Sequence, residues 1–428
     1  MSDKKKILML GTSYASTDMI KYAKEIGCHT IVTDYLDPEK SLAKKYSDEY
    51  WMINTGDLDL LEAKCRKEGI DAVICGISEF NLEMTMELCR RLGLPCYCTP
   101  EAWHYSKDKA DFKAICKKVG APVPEDFYVT DALTDAELDK IIYPVMVKPV
   151  DMSGNRGITY CYDKEDVRKA YKYARSLSKN DKIIVERMLH GEEWWAGYAL
   201  ADGEISLLSL NGMYAQPGEP KNCYTLTTTV SDHVEKFIQE INPKIIEVLK
   251  AVGCREGFAW VQVMLDKDGH FYIIEMGYRL TGEKIFIPLK SLIGFDTVAW
   301  LVDYALGKKH TPAELPPSQH KAFERCTCAM ELWTNRGGVI KEIKGLDKIS
   351  SLPGVEVESL NSVGSTINQY RPFGNVLFTC DTIDEMCDLV DQVNNNLQVL
   401  DEDGVDMIIK YTDFDYLKKV YERGLKGL

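Results

Sequence analysis

The sequence predicts an α/β domain followed by an α+β region, with a parallel sheet first and a largely antiparallel one after it. Two observations carry this. Over residues 1–100, short apolar strands alternate with helical segments closed by glycine. After Thr99-Pro100, strand-like runs separated by turn residues dominate.

Lys6–Leu10 reads as the first strand and Gly11-Thr12-Ser13 as a turn. Thr17–Ile26 is helical and stops at Gly27, and Thr30–Thr33 is the next strand. Leu58–Glu68 is a helix closing at Gly69, Ala72–Cys75 a strand, and about Asn81–Leu92 a helix closing at Gly93. Strands joined by helices imply right-handed parallel crossovers, and such sheets bind ligands at their strands' carboxyl ends. Glu79 lies just past one such end. The turn after the first strand lacks the Gly-x-Gly-x-x-Gly fingerprint, which argues against a nicotinamide cofactor.

Beyond Pro100, a Lys-rich helix is expected over Lys107–Val119. Strands are expected at Val145–Val150, Ile183–Arg187, Trp195–Leu200, Ala259–Leu265 and Phe271–Met276, and helices at about Val234–Val252 and Thr297–Leu306. Pro312, Pro316 and Pro317 mark a linker. A smaller mixed region starts at Arg325, with strands near Cys326–Leu332 and Val376–Cys380 and a helix at about Ile383–Asn394. The resulting division is 1–100, 101–190, 191–320 and 321–428.

The 428 residues are 45% hydrophobic and 28% charged, which is globular rather than disordered. The net charge of −14 opposes a phosphate backbone, so nucleic acid is not expected as a partner. No apolar run approaches the ~18 residues of a membrane span, and Ile7–Leu10 is too short for a signal peptide, so a cytoplasmic, membrane-free protein is expected. The 14 cysteines are scattered without a Cys-x-x-Cys. Cys96-x-Cys98 and Cys326-x-Cys328 come with no second pair, so buried thiols are expected rather than zinc. His104, His190, His233 and His270 share no metal spacing, and Trp194, Trp195 and Trp260 fit a core or a stacking surface.

Three segments can carry chemistry. The strand Tyr143–Pro149 places Lys148 on the face of Met146, and a loop with Gly154 and Gly157 follows. Glycine lets backbone N–H groups approach phosphate oxygens, and lysine adds a point charge; a surface turn after an edge strand fits equally. A hairpin is expected at Trp260–Met276 around Asp266-Lys267-Asp268-Gly269. If Leu265 pairs with His270, then Gln262 lies opposite Ile273, and Gln262, Ile273 and Glu275 share a face with Arg279 beyond. An amide oxygen and a carboxylate suit Mg²⁺, and an arginine suits an anionic intermediate; a solvated hairpin face is the other reading. The strand Ile183–Arg187 ends in a charged turn, with Glu193 seven residues after Glu186.

The order of these signals resembles the ATP-grasp superfamily over about residues 5–310 and more weakly to the end. It is carried by Lys107-Asp108-Lys109, by Pro144–Pro149 with its glycine loop, by Glu186 with Gly191 and Glu193, by Gln262, and by Glu275-x-Gly277-x-Arg279-x-x-Gly282. The resemblance implies a Rossmann-like N-terminal domain, an ATP-grasp fold and a small C-terminal mixed domain. It implies that Lys109 and Lys148 hold ATP phosphates and that the loop Ser153, Gly154 to Gly157 closes over them. Glu186 and the backbone of Arg187, Met188 and Leu189 would frame the adenine, and Glu193 the ribose. Gln262 and Glu275 would hold Mg²⁺, or Mn²⁺ in its place. Arg279 would hold the acyl phosphate and act in catalysis with Lys148.

One position departs from the family, which usually carries Asn where this chain has Gly277; that metal contact would pass to water, backbone or another residue. The function implied is an ATP-dependent carboxylate–amine ligase, with an amino acid as the expected substrate. Phosphoribosylglycinamide-synthetase-like and carbamoyl-phosphate-synthase-like chemistry are the alternatives, and a non-catalytic ATP-binding module is a third. Partners would be small carboxylates and amines, with a homodimer left open. Glu79, Tyr214 and Arg371 are candidates for the acceptor pocket.

Overall fold

The computed structural model describes residues 4–150, 157–179, 181–359 and 361–428. Its N-terminal sheet has four strands, all parallel, in the order Glu49–Trp51, His29–Thr33, Lys6–Leu10, Ala72–Cys75. Both faces are covered, as continuous apolar strands require. Leu8, Leu10 and Val73 pack toward Leu58–Glu68 and Glu79–Leu92. Ile7, Met9 and Val32 pack toward Ser16–Glu25 and toward Thr297–Ala305, a helix that returns from far along the chain.

A small antiparallel sheet follows, in the order Thr159–Cys161, Val145–Pro149, Ile183–Arg187. Val145, Val147 and Val185 bury one face against Val167, Ala170 and Ala174 of the helix Lys164–Leu177. Strand alternation turns Met146, Lys148 and Glu186 to the other face.

The largest sheet has eight strands, all antiparallel. It runs Phe271–Gly277, Gly257–Asp266, Gly191–Ala201, Glu204–Ala215, Tyr224–Thr228, Cys326–Trp333, Pro372–Cys380, Glu356–Ser359. Residues 191–320 and 321–428 therefore share one sheet across the boundary drawn from the prolines. Trp194, Tyr198, Val261 and Ile273 pack one face onto helices Val234–Glu240 and Asn242–Ala251. The other face packs partly on Leu289 and Leu301 through Trp195 and Phe258.

One expected helix is broken and another starts late. The helix expected over Lys107–Val119 runs Lys109–Lys118, after a separate helix Pro100–Lys107 that was not expected, and the Asp108 carboxylate between them caps it by accepting from the Ala110 and Asp111 N–H groups. Ile241 divides the helix expected over 234–252, just before Pro243, which opens the second half. Strands Glu204–Ala215 and Tyr224–Thr228 and the short elements Leu42–Tyr46 and Glu49–Trp51 have no counterpart in the expected set. Among the described residues no helix is long and apolar enough to cross a membrane. All 14 cysteines are free and nearly all are buried.

Candidate functional site

The site lies where the polar faces of the small and large sheets meet. Gln262 and Glu275 build one wall. The hairpin is not in the expected register: Leu265 pairs with Phe271 rather than His270, and a bulge beside Gln262 shifts the pairing once more. Gln262 therefore stands directly opposite Glu275. Ile273, expected on this face, is fully buried opposite Val263 on the core side. The extra residue in the bulged strand carries Glu275 to the same face as Gln262.

Gln262 Nε2 donates to Glu193 Oε2 at 2.9 Å, which fixes the amide and leaves its carbonyl oxygen as the ligand atom. Glu193 also accepts from the Tyr224 hydroxyl. Burial raises the Glu193 carboxyl, and those two hydrogen bonds offset part of that rise. Glu193 and Tyr224 line a cavity with Met213, Tyr214, Lys221 and Tyr416. Lys109, at the start of its helix, reaches Glu275 Oε2 at 3.4 Å. One amide oxygen and one carboxylate beside a lysine fit a hard divalent cation.

The small sheet builds the facing wall. Lys148 is buried and ion-paired with Glu186 Oε1, while Lys113 Nζ lies 2.7 Å from Glu186 Oε2. Burial pushes the Glu186 carboxyl up, and the two lysines more than reverse this, holding it below the ordinary glutamate value. Both oxygens of Glu186 are thus engaged by Lys148 and Lys113. Lys113 also pairs with Asp126, whose Oδ2 is 2.7 Å from Lys117 Nζ. Lys113 had no signal of its own in the sequence; only the packing of its helix against this sheet reveals it. Tyr160 is paired across the strands with Met146, and burial, then the charge of Glu193, pushes its hydroxyl up, with Lys148 opposing.

The connection between the walls is tied down by backbone. The Arg187 and Met188 N–H groups donate to the Glu125 and Pro144 carbonyls, so they are already used within the protein. The Arg187 side chain pairs with Asp266 and Asp268, binds the Tyr272 hydroxyl at 3.2 Å and lies over the Tyr272 ring. It fastens this turn to the hairpin. Leu189 is buried. Gly157 has φ +82°, a left-handed conformation suited to glycine, and packs on Pro149; Ser153 and Gly154 lie outside the described residues.

Arg279 closes the far end. Its Nη2 is 3.0 Å from Glu79 Oε1 at the carboxyl end of the parallel sheet, and its Nη1 donates to the Leu280 carbonyl. Its guanidinium lies 5.7 Å from the centre of the Trp260 ring. Trp260 is paired across the strands with Gly277, and a Cβ at 277 would come within 2.2 Å of the indole. The indole therefore fills the space a side chain at 277 would need. Trp194 and Trp195 belong to the core.

Two acceptor candidates are placed differently. The Tyr214 hydroxyl donates to the Val230 carbonyl at 2.8 Å, so Tyr214 is a wall of the Glu193 cavity. Arg371 is exposed, and its backbone carbonyl accepts from the Thr334 hydroxyl. His104 comes together with Asp108 and Asp111, but its Nε2 lies 2.7 Å from Asp111 and Asp108 caps a helix, so these are surface hydrogen bonds already made within the protein.

Residues 108–311 match the sequence family described as "Carbamoyl-phosphate synthase L chain, ATP binding domain". The chain is 24% identical over 350 residues to the carbamoyl phosphate synthase large chain, N-terminal section, of Aquifex aeolicus, covering 74% of this chain and 62% of that one. It is 22% identical over 402 residues to the formate-dependent phosphoribosylglycinamide formyltransferase of Sulfurisphaera tokodaii, covering 89% and 94%. The fold superposes on an L-amino acid ligase from Bacillus licheniformis with a TM-score of 0.74 at 18% identity, covering 94% of this chain and 100% of that one. Through this match, residues 108–311 form an ATP-grasp ATP-binding domain.

Proposed function

We propose that the protein is an ATP-dependent carboxylate–amine ligase acting on an amino acid. The observation that carries this is Gln262 standing opposite Glu275, with Lys109 on one side and Arg279 four residues beyond. The whole-chain match in fold to an L-amino acid ligase fits the amino-acid reading, and a phosphoribosylglycinamide synthetase from Anaerococcus prevotii matches the whole chain as well, with a TM-score of 0.70 at 20% identity.

In this reading Lys148 and Lys109 neutralise the nucleotide's phosphate charge from opposite walls. Gln262 and Glu275 would hold Mg²⁺, which when bound draws charge from the phosphate oxygens. A substrate carboxylate attacks the terminal phosphorus, ADP leaves, and an acyl phosphate forms. The protein's part is positioning and charge stabilisation. The amine then attacks the acyl carbon through a tetrahedral oxyanion that Arg279 stabilises, and phosphate departs as the amide forms. Glu79 and the Trp260 face hold the Arg279 guanidinium in place for this step.

The test is incubation with ATP, Mg²⁺ and pairs of carboxylates and amines, following ADP and phosphate. ADP release that requires a carboxylate supports the ligase. ATP binding without turnover across a broad panel contradicts it and favours a nucleotide-binding module.

A further inference from the structure

We propose that Glu283, Glu331 and Asn375 form a cradle for a substrate ammonium group that does not itself react; this rests on the ligase reading above. Glu331, Asn375 and Glu358 are successive neighbours across three strands of the large sheet, so their side chains stand in a row on one face. Asn375 is fully buried. Its Nδ2 donates to the Gly282 carbonyl at 3.2 Å, which aims the amide at the loop carrying Glu283. Among the described residues, Asn375 Oδ1 and Glu283 Oε1 are both buried without a hydrogen-bond partner. Buried acceptors are expensive to leave unmatched.

The neighbouring cations are already engaged. Lys284 Nζ lies 2.7 Å from Asp18 and 2.8 Å from Glu358, and Arg279 is held by Glu79. What remains, among the described residues, is a set of acceptors with no protein cation paired to Glu283 or Glu331. An anionic group would meet like charge here, and a hydroxyl offers one donor. An ammonium offers three donors and the missing positive charge. Burial pushes the Glu283 carboxyl up to about 7 and that of Glu331 up to about 8, the latter with help from Glu283's charge; a bound cation would return both to the ionised form.

The cradle is fixed close to the reacting centre rather than at it. Glu283 lies four residues beyond Arg279. The next residue, Lys284, has φ +66° and is pinned by Asp18 of the N-terminal domain and Glu358 of the last strand of the large sheet. A residue held in that conformation by two ion pairs sets the loop firmly.

The ammonium can belong to the activated carboxylate, as in an α-amino acid, or to the amine as a second charge. The test measures ADP release by the full chain with Mg²⁺-ATP in two arms. One compares alanine with propionate against a fixed neutral amine. The other compares 1,4-diaminobutane with butylamine against a fixed carboxylate. In one arm the charged member is expected to have a KM at least tenfold lower. Glu331→Gln should remove that difference and leave the KM for ATP unchanged. Should that variant fail to fold, the thermal shift of the wild-type protein with alanine against propionate, and with diaminobutane against butylamine, reads the same preference. Carboxylate-dependent ADP release with no preference in either arm overturns the cradle alone. No carboxylate-dependent release at all overturns the ligase reading with it.

Discussion

Gln262 and Glu275 face each other across their hairpin because one strand carries an extra residue at that point. Continued without the bulge, the Leu265–Phe271 register would set Gln262 opposite Ile274 and turn Glu275 to the other face. The bulge converts a half-polar hairpin into a pair of oxygen ligands on one wall. Gln262→Ala and Glu275→Gln should each lower ATP turnover by about 10²-fold or more, in line with the loss of a group that stabilises developing charge. Thermal unfolding should change little, since both side chains are only half-buried. Steady-state ADP release alongside a melting curve checks this.

Lys148→Ala should weaken both nucleotide binding and the fold. It removes one of two lysines from the buried Glu186, leaving that carboxylate with Lys113 alone. A loss of about 1–3 kcal/mol is expected, below that of a fully orphaned buried charge because Lys113 remains. The depressed Glu186 value means its stabilising effect is present above the ordinary glutamate range and is lost as pH falls through the lower folded value. The variant should therefore lose less stability on acidification than the wild type. Urea titrations at pH 7 and pH 4 measure it.

The Glu283–Glu331 pair has the opposite sign. Their folded values, about 7 and about 8, lie above the unfolded one, so the folded chain holds more protons between about pH 4.5 and 8. Their stabilising effect is complete below that window and is lost as pH rises through it. The melting temperature should fall across this interval, and Glu331→Gln should flatten the fall.

Gly277→Ala should destabilise by about 1–3 kcal/mol, because the new Cβ has to displace the Trp260 ring. Combining it with Trp260→Ala should recover stability but cost activity, since the aromatic face beneath Arg279 is gone. Chemical denaturation of the two variants separates the effects.

The sequence carried more of this site than of its scaffold. Lys148, Glu186, Gln262, Glu275 and Arg279 stand out as charged or amide residues in or just past apolar strands, and the structure pairs Lys148 with Glu186, sets Gln262 opposite Glu275 and joins Arg279 to Glu79. The bulge was invisible, since nothing in Ile273-Ile274-Glu275 marks an inserted residue. The strand Glu204–Ala215 is buried on both faces, so it lacks the alternation that identifies a strand. The helix starts were more legible: Asp108 before Lys109 is a cap, and Pro243 fits the first turn of a helix, where its missing N–H costs nothing. The roles of Lys113 and Arg187 depend on which elements pack together, and no local pattern encodes that.

The most direct test of the whole arrangement is ATP titration by calorimetry, with and without Mg²⁺, on the wild type and on Gln262→Ala/Glu275→Gln. The wild type should bind ATP more tightly when Mg²⁺ is present, and the double variant should lose that dependence. Equal Mg²⁺ enhancement in both proteins would place the metal elsewhere and contradict the site described here.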